Sequence, residues 1–74
     1  MLMGKTTQPG YVNRNSQVVI RDTHLPGTDK GQSIYQLGCL ICGQVYGANY
    51  SDIFERKCPK CQGGTAGLPL EPAL

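Results

Sequence analysis

Cys39-Leu40-Ile41-Cys42-Gly43 and Cys58-Pro59-Lys60-Cys61 are the two stretches whose reading decides this fold. Each holds two cysteines separated by two residues, and fifteen residues lie between the pairs. A tight turn across two residues presents both sulfurs on one side, about one tetrahedral edge apart. Its own N–H groups point at the thiolates. Gly43 follows the first pair, where such a turn needs a positive φ. Pro59 sits inside the second pair and pre-sets φ for its turn. The spacing lies within the range of zinc sites built from two such pairs. Four thiolates close the coordination shell, which marks a structural site, because catalytic zinc keeps a position open. Iron accepts the same four thiolates. Free thiols or disulfides are the competing reading. A redox Cys-x-x-Cys needs a βαβ frame that this chain cannot hold.

The rest of the chain explains why a metal is needed. It has 74 residues, one Phe, no Trp and a hydrophobic content of 39%. Chains of this length bury only ~60% of their unfolded surface and usually rely on a staple. The length leaves no walls for a deep substrate pocket, so no enzymatic activity is expected. The net charge of +2 is far from that of a polybasic nucleic-acid arm. No stretch reaches the ~18 apolar residues of a membrane span. Met1–Lys5 lacks the apolar stretch of a secretory signal, and the expected location is cytoplasmic. In that setting paired cysteines are metal ligands or redox groups rather than a disulfide framework.

Working outward, Val18-Val19-Ile20 is a β-branched run that predicts a strand over 17–22. Ser33–Leu37 alternates and predicts a second strand over 33–38 leading into Cys39. The two would pair as an antiparallel hairpin across 23–32, read as a loop from Pro26, Gly27, Asp29 and Gly31. Gln44-Val45-Tyr46 suits a short strand. Ser51 suits the cap of one helical turn through Ile53-Phe54-Glu55, and Pro59 ends any helix. Phe54, Ile53, Tyr35, Leu37, Val19 and Val45 are the expected core. Composition divides the chain into a mobile lead-in over 1–16, a metal-stabilised domain over 17–64 and a flexible tail over 65–74.

The pattern Tyr35…Cys39-x-x-Cys42-Gly43-x-x-Tyr46…Cys58-Pro59-x-Cys61 resembles the knuckles of zinc ribbons and rubredoxin-like domains. It is closer to the short rubredoxin-like tails of rubrerythrins than to free rubredoxins, whose inter-pair segment is longer. The resemblance covers 35–61. It implies a small β-rich zinc ribbon with an N-terminal β-hairpin and little helix, with Cys39, Cys42, Cys58 and Cys61 as metal ligands. Gln62 stands where the family often has Gly, and the Trp-Phe core of rubredoxins is missing. The resemblance therefore carries the metal site more than an electron-transfer role.

Three partner readings follow. Arg56, Lys57 and Lys60 flank the second pair and could meet phosphates, with Arg14 and Arg21 upstream; Tyr46 and Tyr50 could stack on bases. That makes a nucleic-acid-associated binding module the leading expectation. Charged residues are only 16% of the chain, which suits docking on a larger protein instead. Iron in the thiolates would make it an electron carrier. Three other features are set aside. Gly4-Lys5-Thr6 lacks the preceding strand and the first glycine of a phosphate loop. His24 is a lone loop histidine. Asn49-Tyr50-Ser51 matters only in a secretory compartment.

Overall fold

The structure is a computed structural model that describes residues 8–26, 33–68 and 70. The expectations for 1–7, the Gly4-Lys5-Thr6 echo among them, and those for 27–32 and 71–74 lie outside the described residues. A three-stranded antiparallel sheet runs in the order β1-β2-β3, with β1 at Gln17–Pro26, β2 at Ser33–Cys39 and β3 at Val45–Asn49. A short 3-10 helix over Tyr50–Glu55 follows β3 directly.

β1 is longer than the β-branched run announces. Thr23 and its neighbours, expected in the loop, stay in the strand because side chains take over the hydrogen bonding. The Thr23 hydroxyl donates to the Ile34 carbonyl at 2.6 Å, and Asp22 Oδ1 accepts the His24 N–H at 2.8 Å. His24 sits at φ 63, where the pairing register shifts between Asp22 and Pro26. The helix begins at Tyr50 after Asn49, not at a Ser51 cap.

Alternation along the strands decides the core. Val19 faces Leu37, which faces Tyr46, and all three point to one side of the sheet. There they pack with Ala48 and Ile53, flanked by Tyr11 and Tyr35. Two expected core residues do not join them. Val45 pairs with Gly38 on the opposite face, since Tyr46 takes the inward position, and Val45 is exposed. Phe54 follows Ile53 in the 3-10 helix and turns to solvent, where the Arg14 guanidinium lies 4.5 Å from its ring centroid.

The segment before β1 is part of the packed body. Gly10 N–H donates to the Val19 carbonyl, Val19 N–H to Tyr11 and Asn13 N–H to Gln17, at 2.8–2.9 Å. Val12 bridges Val18 and adds a fourth segment to the sheet. The boundary expected at 16/17 therefore cuts through a hairpin. At the other edge, Leu68 N–H donates to the Gly47 carbonyl at 2.8 Å, so part of the expected tail is also paired. No described helix is long and apolar enough to cross a membrane.

Candidate metal centre

The sheet delivers the first cysteine pair. Cys39 is the last residue of β2, and its N–H donates to the Gln44 carbonyl at 2.9 Å. The chain turns through Leu40 to Gly43, whose N–H returns to the Cys39 carbonyl at 2.8 Å. Gly43 takes φ 83, the conformation its position demands. The second knuckle repeats the device with a shift. Gln62 N–H donates to the Cys58 carbonyl at 3.2 Å and Gly64 N–H to the same oxygen at 2.9 Å. The positive φ falls on Gly63, at 67°, one residue later than in the first knuckle.

Gln62 explains the shift. Its side-chain oxygen accepts the Cys58 N–H at 2.6 Å, and its amide nitrogen donates to the Asn15 carbonyl at 3.0 Å. A glycine could do neither. Gln17, fully buried, donates to the Asn15 carbonyl and to the Gln62 side-chain oxygen, and accepts the Tyr46 hydroxyl at 2.7 Å. Asn13 donates to the carbonyls of Ile53 and Arg56 at 2.7 and 2.9 Å and closes the end of the 3-10 helix. Its oxygen accepts the N–H groups of Asn15 and Gln17. These amides tie the N-terminal hairpin to both the helix and the second knuckle. Composition places Asn13 and Asn15 in a mobile lead-in over 1–16 and Gln17 at the start of a strand. The signals that could have found them are the cluster Asn13, Asn15 and Gln17 before a strand, and Gln62 in a glycine's place.

The four sulfurs of Cys39, Cys42, Cys58 and Cys61 lie within 4.8 Å of one another. Across the knuckles, Cys39 Sγ lies 3.6 Å from Cys61 Sγ and Cys42 Sγ 3.5 Å from Cys58 Sγ. Bonds of about 2.3 Å to a tetrahedral zinc require sulfurs roughly 3.8 Å apart, so the donor set fits such an ion. Cys39 and Cys58 are buried, while Cys42 and Cys61 are exposed. The buried sulfurs receive the amide N–H groups: Ile41 to Cys39 at 3.4 Å, and Lys60 and Cys61 to Cys58 at 3.3 Å. Desolvation raises the Cys39 thiol, but the amides of Cys42 and Ile41 and the Gln17 side chain outweigh it and bring it down to about 6. Cys58 is lowered in the same way by the amides of Cys61 and Lys60, against desolvation. Desolvation of its sulfur, with hydrogen bonds that its S–H donates to the other three sulfurs, pushes Cys61 up to about 12. The metal-free site thus sets a Cys39 thiolate beside a Cys61 thiol. His24 is not in this group; it is 84% exposed and lies 3.6 Å from Asp22.

The expected nucleic-acid residues do not form one surface. Tyr46 is 4% exposed, with its ring in the core and its hydroxyl on Gln17, so it cannot stack on a base. Arg56 lays its guanidinium 5.0 Å from the Tyr46 ring centroid and donates to the Thr65 carbonyl. Lys57 lines a cleft beside Asp52 and Glu55, whereas Lys60 lines a different groove with Val45 and Leu70. Tyr50, Lys57 and Lys60 are exposed. No family profile, curated protein or solved structure matches the chain.

Proposed function

We propose that the chain is a small structural-zinc module that binds another protein and performs no catalysis of its own. The single observation that carries this reading is the closed set of four sulfurs, with backbone amides aimed at the two buried ones. Bound zinc would supply folding energy to a body whose core cluster, among the described residues, is five residues. A reducing compartment such as the cytoplasm suits free thiols held for a metal.

Protein docking is favoured over nucleic acid by what is exposed. Leu40 and Ile41, at the tip of the first knuckle, are 60% and 65% exposed. The basic side chains are divided between two clefts, one of which also holds carboxylates. Nucleic-acid binding through Lys57, Lys60 and Tyr50 is the second reading, supported by their exposure alone. The test is protein purified without added metal. One colourless metal ion per chain by native mass spectrometry, with no salt-sensitive binding to DNA or RNA at micromolar concentration, is the expected result. A red, iron-loaded protein would favour electron transfer. Salt-sensitive binding abolished by changing Lys57 and Lys60 to Ala would favour nucleic acid.

A further inference from the structure

The four cysteines divide by exposure: Cys39 and Cys58 are buried, Cys42 and Cys61 exposed. Each knuckle therefore holds one buried and one exposed sulfur. Contacts between the knuckles cross these classes. Buried Cys39 Sγ lies 3.6 Å from exposed Cys61 Sγ, and buried Cys58 Sγ lies 3.5 Å from exposed Cys42 Sγ. A disulfide of about 2.05 Å needs each pair to close by roughly 1.5 Å. An oxidant that reaches a solvent-facing sulfur thus finds a resolving sulfur beside it, on the opposite knuckle.

The N-terminal hairpin holds the knuckles face to face. The Ser16 carbonyl accepts the Leu40 N–H of the first at 2.9 Å. The neighbouring Asn15 carbonyl accepts the Gln62 side-chain amide of the second at 3.0 Å. Each knuckle is also closed on itself, by Gly43 N–H on the Cys39 carbonyl and by Gln62 and Gly64 N–H on the Cys58 carbonyl. A disulfide inside one knuckle would leave the two unlinked. Disulfides between them would do the mechanical work of a shared ion. Cys39 and Cys61 are 22 residues apart, and Cys42 and Cys58 are 16 apart, one loop nested in the other. Closing both loops restricts the unfolded chain.

We propose that the four cysteines form a peroxide-responsive switch: hydrogen peroxide expels the metal and replaces it with two disulfides across the knuckles, Cys39–Cys61 and Cys42–Cys58, which keep the domain folded. The proposal rests on the metal-site reading and adds a second, covalent state to it. Each pair reacts in two steps. The exposed thiolate, Cys61 or Cys42, attacks a peroxide oxygen; the O–O bond breaks, hydroxide leaves and a sulfenic acid forms. The buried thiolate facing it, Cys39 or Cys58, attacks the sulfenic sulfur; the S–O bond breaks and a second hydroxide leaves. Two protons from solvent turn both hydroxides into water. The pair loses two electrons and the peroxide gains them. Two peroxide molecules oxidise all four thiolates, and the ion is left without ligands.

The test treats the full, zinc-loaded chain with hydrogen peroxide. An indicator dye should report one zinc released per chain, and the protein should remain a monomer with its metal-free mass reduced by four hydrogens. Trypsin cuts after Arg56, Lys57 and Lys60, so it separates Cys58 from Cys61. Without reductant, both of those peptides should stay joined to the peptide that carries Cys39 and Cys42. A further cut after Leu40 should leave Cys39 with Cys61 and Cys42 with Cys58. The oxidised chain should keep the amide dispersion of Val18–Ile20 and unfold at higher urea than the reduced, chelated chain. Dithiothreitol with zinc should restore the starting spectrum. Bonds within a knuckle, disulfide-linked dimers, or oxygen added at Cys42 and Cys61 without a disulfide would overturn the proposal. So would zinc retained under peroxide, or an oxidised chain no more resistant to urea than the chelated one. These outcomes leave the metal-site reading standing. A chain that holds no metal before treatment would remove that reading and the switch together.

Discussion

Asn13 is the residue on which most of the hairpin's polar contacts converge. It is 6% exposed and uses both ends of its amide: donors to Ile53 and Arg56, acceptor for Asn15 and Gln17. Asn13→Ala leaves those buried groups without partners and is expected to cost about 1–3 kcal/mol in urea unfolding of the metal-loaded protein. Tyr46→Phe removes one bond to Gln17 and should cost about 1 kcal/mol by the same measurement. Protonation at the cysteines is a second residue-scale matter. Cys61, pushed up to about 12, holds its proton at neutral pH in the metal-free chain, whereas Cys39, down at about 6, does not. Metal uptake at pH 7 must displace at least the Cys61 proton, so affinity rises with pH. Below about pH 6 Cys39 adds another proton and the dependence steepens. Zinc titration in weak buffer with an indicator dye should report this release. No proton release at pH 7 would contradict the assigned ligand set.

At the scale of elements, the hairpin from Gly10 to Val19 is the piece whose loss separates competing accounts. A chain beginning at Gln17, where composition sets the domain boundary, would lack Asn13 and Asn15 and the backbone partners of Val19. Its circular dichroism and amide dispersion are expected to be those of an unfolded chain even with zinc, while a chain beginning at Gln8 folds normally. Equal folding of the two would reduce the hairpin to decoration. The second knuckle is similarly particular. A Cβ on Gly64 would collide with the Lys57 carbonyl, and neither backbone can retreat without moving Cys58. Gly64→Ala should therefore weaken zinc retention against a chelator and not merely lower stability.

At the scale of the whole molecule, metal binding and folding are expected to be one event. The core cluster is Val19, Leu37, Tyr46, Ala48 and Ile53, too little apolar burial to offset chain entropy alone. Chelation, or Cys58→Ser, should collapse amide dispersion as far away as Val18–Ile20. Survival of β1 and β2 in the metal-free protein would make the metal a local clamp. What the sequence by itself determined was local: the two knuckles and their four clustered cysteines from Cys-x-x-Cys spacing, and the starts of β1 and β2 from β-branched and alternating runs. Each of these signals sits within a few neighbouring residues. The tertiary structure alone decided the rest. Tyr46 and Val45 are adjacent and both suited to burial, and only the pairing of β3 with β2 sends the first inward and the second out. Asn13 and Asn15 read as loop residues until Ile53, Glu55 and Arg56, some forty residues distant in sequence, supply their partners. Short polar side chains satisfy a distant backbone as readily as their own, so local pattern cannot tell a mobile segment from a packed one.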